Sequence, residues 1–394
     1  MYSKRLTRIT IKSYYYTYGA LLLLLIFSTI QFLLILRHKS PYLSDSYFYK
    51  HMFYQMKGDS YSQARGKIIS QINIDQLDKI GRKIFSEQES YQYSYSFFTK
   101  RPLYPFLARI VNIFFKSEYL AFITPVFFAY MGSVLLSLYF LKSGLPYFSA
   151  IFSLALFIAF YPFLDWSTYF LTDTIGFFFW LLQLLFIYKF VTVAKLKYLA
   201  LYILSLIVSL FSREQSTLML LMLIFLYFLI VVLKYKQSFK RRSVMLIKST
   251  LVVIVIYFGI STILNQRTIL ESINYLQNNY AFFSKTYTLQ ETTAYLIKTI
   301  IFTHVVFLTD LIKHHWWFTF FVLGLVGIAK VIIFPKRKQF INLLMLSSGL
   351  ASYFFVFIYP VLSYRFFYPV VLMIVYFAAK LTFDFFEERQ KIIK

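Results

Sequence analysis

The chain of 394 residues is strongly apolar, with 59% hydrophobic and 14% charged residues and a mean hydropathy of +0.63. A soluble globular protein does not need so apolar a composition, so the chain is predicted to be an integral membrane protein. The net charge of +25 could serve nucleic-acid binding, but the basic residues form short clusters between apolar runs and no continuous face, so nucleic acid is not expected as a partner. The absence of cysteine excludes disulfides and thiolate sites.

Ten apolar runs predict about ten spanning helices, within a range of nine to twelve, because a span needs about 20 apolar residues. The predicted spans are 14–36, 119–141, 147–163, 173–192, 198–212, 215–233, 247–264, 316–334, 339–359 and 364–384. Two further stretches, 103–115 and 294–312, are short or carry charges, and they are predicted to be interfacial or re-entrant helices. The fold class is therefore an all-α polytopic membrane protein, with a single membrane domain over 1–394.

The charges of the connecting segments predict the orientation. With a cytoplasmic N-terminus, each short inside loop is basic, as the positive-inside rule requires. The basic residues of these loops are Lys142; Lys189, Lys195 and Lys197; Lys234, Lys236, Lys240, Arg241 and Arg242; Lys336, Arg337 and Lys338; and Arg389, Lys391 and Lys394. Thirteen of the sixteen acidic residues then fall outside. We therefore expect a multi-pass protein of the inner or plasma membrane, with both termini cytoplasmic.

Two outer segments, 37–102 and 265–315, are long enough to carry chemistry. The first is polar and rich in tyrosine, with Tyr91, Tyr93 and Tyr95 alternating before Arg101. It is predicted to fold as short amphipathic helices on the membrane surface.

With this topology, a group of ionisable residues collects on the outer face, and many of them lie at or just inside a helix end. An ionisable group near the hydrocarbon layer costs free energy, and function is one reason to retain it. The outer candidates are Asp45, Arg101, Asp165, Asp173, Arg213, Glu214, His314, His315 and Arg365.

The two leading carboxylates each have a structural alternative. Asp45 could deprotonate a hydroxyl or hold a divalent cation, or it could cap a helix over 46–56. Asp173 is either an active-site carboxylate or the cap of the fourth span, because a carboxylate favours the positive end of a helix dipole. Asp165, between Pro162 and Trp166, is a weaker candidate.

The outer cations also allow two interpretations. Arg101 and Arg365 suit phosphate, since the planar guanidinium offers paired donors, but each could equally anchor to lipid head groups. Arg213 and Glu214 could simply neutralise each other at a tight turn. His314 and His315 precede two tryptophans, which is typical of an interfacial aromatic belt, although either imidazole could contact a phosphate.

This arrangement resembles the GT-C superfamily of integral membrane glycosyltransferases, which includes protein O-mannosyltransferases and lipid A aminoarabinose transferases. Asp45 resembles the acidic motif that follows the first span, and Arg101 to Pro105 matches an Arg-Pro-x-x-Pro run where the first loop re-enters the membrane. Thr172-Asp173 matches a Thr-Asp that opens the fourth span, Arg213-Glu214 an Arg-Glu after the fifth span, and Arg365 the late outer arginine. The family's first-loop motif is often two adjacent acids, which suits Mg²⁺ or Mn²⁺, whereas here Ser46 follows Asp45.

The resemblance implies transfer of a sugar from a polyprenyl-phosphate donor in the bilayer to a glycan, lipid or protein acceptor on the extracytoplasmic face. It implies Asp45 and Asp173 as catalytic residues, and Arg101, Arg213 and Arg365 as ligands of the donor phosphate. Asp165, Glu214 and His314 are further candidates. Two other functions stay open: a polysaccharide polymerase or ligase acting on lipid-linked glycans, and a transporter or flippase of such glycans. The scarcity of charge inside the predicted spans argues against the transporter.

Overall fold

A computed structural model of the protein describes residues 2–278, 287–334, 339–358 and 363–393. Within these ranges the chain forms helices and turns, with no strand, so the predicted all-helical class is confirmed for them. The predicted basic loop at 336–338 and part of the long segment 265–315 lie outside the described residues.

Eighteen α-helices follow one another along the described chain. The N-terminal part contains α1 (Tyr2–His38), α2 (Ser44–Met56), α3 (Tyr61–Ile69), α4 (Lys79–Ser86), α5 (Gln88–Ser96) and α6 (Leu103–Phe115). The middle part contains α7 (Glu118–Gly144), α8 (Tyr147–Ile158), α9 (Tyr161–Trp166), α10 (Asp173–Val193), α11 (Leu196–Leu210), α12 (Met219–Val232) and α13 (Gln237–Ile263). The last part contains α14 (Ile269–Gln277), α15 (Leu289–Lys313), α16 (His315–Ile333), α17 (Phe340–Ile358) and α18 (Tyr368–Ile393).

Nine helical segments in the described ranges are long and apolar enough to cross a membrane. They are Tyr18–His38, Glu118–Gly144, Asp173–Val193, Glu214–Val232, Gln237–Ile263, Leu289–Lys313, His315–Ile333, Phe340–Ile358 and Tyr368–Phe386. Eight of them coincide with predicted spans, and the ninth contains the stretch 294–312. By length and composition alone, their number lies within the predicted range of nine to twelve.

Two predicted spans are shorter than expected. The span predicted at 147–163 ends as α8 after 12 residues, and the span predicted at 198–212 is α11 with 15 residues. In the first case Phe160 takes an extended backbone, and Pro162 is the second residue of α9, in the first turn, where a missing backbone N–H costs nothing. In the second case the extended backbone of Arg213 prevents α11 from continuing into the next helix.

The first outer segment folds as the predicted short helices, α2 to α5, which pack on the end of the bundle where α1 terminates. We call residues 37–102 loop 1, and we call this end of the bundle the loop-1 face. Loop 1 is tied to it by backbone and side-chain bonds: Phe170 N–H donates to Pro41 O at 2.9 Å, and Tyr49 and Thr172 share a hydroxyl hydrogen bond of 3.2 Å. Loop 1 therefore forms a layer over the ends of the membrane helices, which we call the loop-1 layer.

Helix α15 begins and ends on the loop-1 side of the bundle. Near its start, Thr292 lies 3.5 Å from Gln277 at the end of α14, and α14 itself packs against α5 through Tyr275. Near its end, Asp310 accepts a hydrogen bond of 2.9 Å from Tyr364. Length and composition alone would let α15 cross a membrane, but these contacts place both of its ends on one side.

Two glycines let α16 approach α18 closely. A Cβ added at Gly324 would lie 2.9 Å from the backbone carbonyl oxygen of Ile374, and one added at Gly327 would collide with the carbonyl oxygen of Phe377. Small residues at such crossings allow helix backbones to pack directly in membranes. The close crossing fixes the start of α18, and Arg365 lies in the turn just before that start.

Replacing Gly327 with Leu should therefore destabilise the protein by about 1–3 kcal/mol, because overpacking forces the two helices apart. The control is Gly259→Leu in α13, where an added Cβ meets no atom within 4 Å. Thermal unfolding of the purified protein in detergent measures both variants. Equal midpoints for Gly327→Leu and the control would contradict the proposed packing constraint.

Candidate functional site

Four ionisable side chains from distant parts of the sequence meet at the loop-1 face. Arg213 forms an ion pair with Asp173, and Arg365 Nε lies 3.5 Å from the same Asp173 oxygen. Arg365 also reaches Asp45, with 3.9 Å between Nη1 and Oδ2. Two guanidinium groups thus share one carboxylate, and Arg365 bridges both predicted catalytic aspartates. We call Asp45, Asp173, Arg213 and Arg365 the arginine centre.

The local backbone places each of these side chains at a helix end. Asp173 lies in the first turn of α10 and Asp45 in the first turn of α2, while Arg365 lies in a 3-10 turn before α18. Neither aspartate makes the capping hydrogen bond that the structural alternative required, since the N-cap residues are Thr172 and Leu43 and no such bond forms. Both carboxylates face arginines instead.

Exposure increases across the arginine centre. The side chain of Asp173 is 3% exposed and that of Arg213 11%, whereas Arg365 is 21% and Asp45 36% exposed. The Asp173–Arg213 pair therefore forms the buried base, and Arg365 and Asp45 form the open end. A ligand arriving from outside would meet Arg365 and Asp45 first.

Aromatic rings and one glycine hold the two guanidinium groups in place. Arg365 lies over the ring of Trp166 at 4.9 Å, and Arg213 lies over the ring of Phe366 at 4.8 Å, both within the range of cation–π attraction. A Cβ added at Gly176 would lie 3.1 Å from Cδ of Arg213. The absence of a side chain at Gly176 thus leaves room for Arg213 against α10.

A second ionic group, formed by Lys100, Arg101 and Glu214, lies beside the arginine centre. Glu214 pairs with Lys100 and also with Arg101, whose Nη2 lies 3.3 Å from Oε2. The predicted alternative, in which Arg213 and Glu214 neutralise each other, is wrong. Each of the two side chains pairs instead with residues from another segment. Tyr49 connects the two groups, since its hydroxyl bonds to Thr172 and interacts with Arg101.

The remaining candidates lie outside the arginine centre. Asp165 pairs with Lys39 at 2.7 Å and holds the end of α1 against α9. Burial is the largest influence on the pKa of Lys39 and lowers it, although the hydrogen bond and charge of Asp165 act in the other direction. His314 is exposed at the end of α15, where it lines a separate apolar cavity, and His315 is exposed at the start of α16.

The arginine centre does not fit a divalent cation. No group of three or more His, Cys, Asp or Glu side chains with metal-site geometry occurs in the described part of the chain. Asp45 and Asp173 both face the guanidinium of Arg365, so a cation between them would meet a positive charge. The residues instead suit an anion, since four cations and three carboxylates in the two ionic groups leave one excess positive charge.

Sequence reasoning missed Lys39, Lys100 and Gly176 as contributors to this region. Lys39 and Lys100 carried a usable signal, because the positive-inside rule disfavours Lys on the outer side and a retained outer Lys needs a reason. No sequence signal identifies Gly176, because only the structure reveals which side chain a helical glycine faces.

A buried histidine lies inside the loop-1 layer. His51 is fully buried, its Nδ1 lies 2.8 Å from the hydroxyl of Tyr91, and the ring of Tyr95 packs on it at 4.3 Å between centroids. Burial lowers its pKa from 6.5 to about 4, and the nearby charge of Arg65 acts in the same direction. The imidazole is therefore neutral in the folded layer at pH 7.

The loop-1 layer should lose stability as the pH falls from about 6.5 to about 4, because only unfolded chains then protonate His51. A shift of this size corresponds to about 3 kcal/mol, and the contribution is constant above pH 6.5. Hydrogen exchange of residues 44–96 across this range measures the effect, and His51→Gln should remove it. The same pH profile in the variant would contradict the assignment.

No model of a known protein family matches the chain, and no curated protein matches it. The apolar helices indicate a lipid bilayer as its environment, and they define it as a multi-pass membrane protein. Its function must therefore be argued from the two ionic groups themselves.

Proposed function

We propose that the protein is a membrane glycosyltransferase that moves a sugar from a polyprenyl-phosphate donor to an acceptor on the extracytoplasmic face of the membrane. The observation that carries the proposal is the sharing of the buried Asp173 carboxylate by Arg213 and Arg365, with Asp45 at the open end. The proposal rests also on the resemblance to the GT-C superfamily. The basic inside loops support a loop-1 face directed away from the cytosol.

In this proposal Arg365 binds the donor phosphate. Arginine forms paired, charge-assisted hydrogen bonds with phosphate, and Arg365 is the more exposed of the two guanidinium groups. Arg213 adds positive charge on the buried side of Arg365, and Arg101 adds further positive charge nearby. Such fixed charges stabilise a leaving phosphate as negative charge develops on it, which is commonly the largest contribution to catalysis.

Asp45 acts as the general base. The acceptor hydroxyl oxygen attacks the anomeric carbon, the bond between that carbon and the phosphate oxygen breaks, and Asp45 takes the hydroxyl proton. The 3.9 Å contact with Arg365 is long for an ion pair, so a phosphate can replace Asp45 as the partner of Arg365 and leave its carboxylate available. Asp173 stays paired with Arg213 and provides negative charge near the oxocarbenium-like sugar.

The direct test measures transfer of a labelled sugar from a polyprenyl-phosphate donor by the full chain in lipid nanodiscs. Asp45→Asn should lower kcat by about 10²–10⁴-fold, the usual contribution of a general base, while donor binding is retained. Asp75→Asn, an exposed loop-1 aspartate, is the matched control. Full activity of Asp45→Asn would remove Asp45 from the mechanism. Movement of lipid-linked glycan across the bilayer without any transfer would favour a flippase instead.

A further inference from the structure

A separate apolar cavity of about 380 Å³ lies next to the arginine centre. It is lined by the start of α9, by the end of α15 and by the first two turns of α16 and α18, and Tyr364 is part of its wall. Its volume falls within the range of about 300–1,000 Å³ that is typical of ligand pockets. Arg365 is the next residue after Tyr364, so the cavity and the arginine centre are neighbours.

The cavity changes from polar to apolar along its length. Asp310, His314 and Tyr364 line it near the helix ends on the loop-1 face. Phe321 and Ile374 line it six residues into α16 and α18, which is about 9 Å deeper at 1.5 Å per residue. A polar entrance above a hydrocarbon-like interior fits an amphiphile, with a head group at the entrance and a chain in the interior.

Asp310 sets the chemistry of the entrance. It is the one acidic side chain among the described residues that line the cavity, and Lys313, at the end of the same helix, does not line it. The hydroxyl of Tyr364 donates to Asp310 Oδ2 at 2.9 Å, which uses part of the carboxylate's capacity to accept hydrogen bonds. The charge of Asp310 repels an anionic head group, whereas a hydroxyl or an ammonium can donate to it.

Aromatic walls add to this preference. Trp316, Trp317, Phe160 and Tyr161 surround the entrance, and the rings of Trp317 and Phe160 lie 5.0 Å apart. Aromatic faces attract cations and pack well against hydrocarbon. The entrance thus differs in charge from the arginine centre, which attracts anions on the other side of Tyr364.

We propose that this cavity binds the acceptor, and that the acceptor is an amphiphile with a hydrocarbon chain and a hydroxyl or ammonium head group. This assignment rests on the proposed function, because it takes the arginine centre as the site of the donor phosphate. The cavity holds the chain, and Asp310 accepts a hydrogen bond from the head group. The adjacent positions of Tyr364 and Arg365 bring the head group to the edge of the donor site.

The test uses chains brominated on the carbons next to the head group, because bromine quenches tryptophan at short range and Trp317 lies at the cavity entrance. Three probes with twelve carbons carry an ammonium, a hydroxyl or a carboxylate head group, and their quenching is measured in nanodiscs in a Trp316→Phe background, where Trp317 is the cavity tryptophan. Quenching is expressed against the concentration of each probe in the lipid, determined with empty nanodiscs. The ammonium and hydroxyl probes should quench saturably, with at least tenfold higher affinity than the carboxylate probe.

Two variants and one control separate cavity binding from non-specific partitioning. Asp310→Asn should remove the preference for the ammonium over the carboxylate probe, and Val371→Phe, which fills the interior, should abolish saturable quenching by every probe. Val322→Phe is the control, because Val322 is 41% exposed on α16 and does not line the cavity. Thermal unfolding verifies that the variants fold.

Equal affinity for the three probes, or unchanged quenching in Val371→Phe, would overturn the proposal. The experiment contains no donor, so its outcome does not depend on sugar transfer. If the probes bind as expected but no sugar is transferred in the donor assay, the cavity assignment as an amphiphile site stands and the glycosyltransferase proposal fails. If transfer occurs to an acceptor without a chain while Val371→Phe retains full activity, the acceptor assignment fails alone.

Discussion

Replacement of Asp173 with Asn is expected to lower the free energy of unfolding by about 3–5 kcal/mol, since removal of one partner from a buried ion pair leaves an uncompensated charge. Asp173 is 3% exposed and is shared by Arg213 and Arg365, so its loss leaves two guanidinium groups facing each other without a carboxylate between them. Sugar transfer should be abolished. Chemical or thermal unfolding in detergent, together with the transfer assay, measures the two effects.

The double variant Asp173→Asn with Arg213→Gln should be more stable than the sum of the two single losses predicts. Its two substitutions remove both members of the pair, and residues in direct contact are coupled by about 0.5–3 kcal/mol. Asp75→Asn, an exposed aspartate, should unfold like the wild type. Strict additivity in the double variant would show that Asp173 and Arg213 act independently.

Replacement of Glu214 with Gln should cost about 2–4 kcal/mol for the same reason, because it removes the carboxylate that Lys100 and Arg101 share. The Lys100 side chain is 8% exposed, so it cannot recover its hydration without local rearrangement. Lys100 also donates to the carbonyl oxygen of Arg267 at 2.9 Å, so the loss should spread to the contact between loop 1 and the segment before α14.

Hydrogen exchange should therefore increase in residues 96–103 and around residue 267 in Glu214→Gln. Glu89→Gln is the control, since Glu89 is an exposed carboxylate in α5 of the same layer. Thermal unfolding supplies the overall loss. An unfolding midpoint close to that of the control, with unchanged exchange, would mean that the Lys100–Glu214–Arg101 group contributes nothing to the attachment of loop 1.

The members of the arginine centre could be predicted from the sequence, but the ion pairs between them could not. Each of its four members was identified as an outer ionisable group near a helix end, because such groups are costly near hydrocarbon wherever the fold places them. Their partners were not predictable. Arg213 and Glu214 are consecutive in the sequence, yet the extended backbone at Arg213 directs one side chain to Asp173 and the other to Lys100 and Arg101.

The cavity could not be predicted from the sequence. Asp310 lies in the stretch 294–312, which is predicted to be an interfacial or re-entrant helix, and His314 is predicted only as a possible phosphate contact. Their common cavity depends on the position of α15, whose apolar composition would suit either a span or a surface helix. Contacts with α14 and with Tyr364 decide between these options.

The sequence by itself determined the helical class, the membrane environment and the set of ionisable residues from which a site could be built. These follow from hydropathy and charge, which act on each segment independently of its neighbours in space. The tertiary structure alone decided which carboxylate meets which guanidinium, where α8 and α11 end, and that Asp310 faces a cavity. Those features depend on contacts between helices far apart in the chain, where small differences in packing outweigh any local preference.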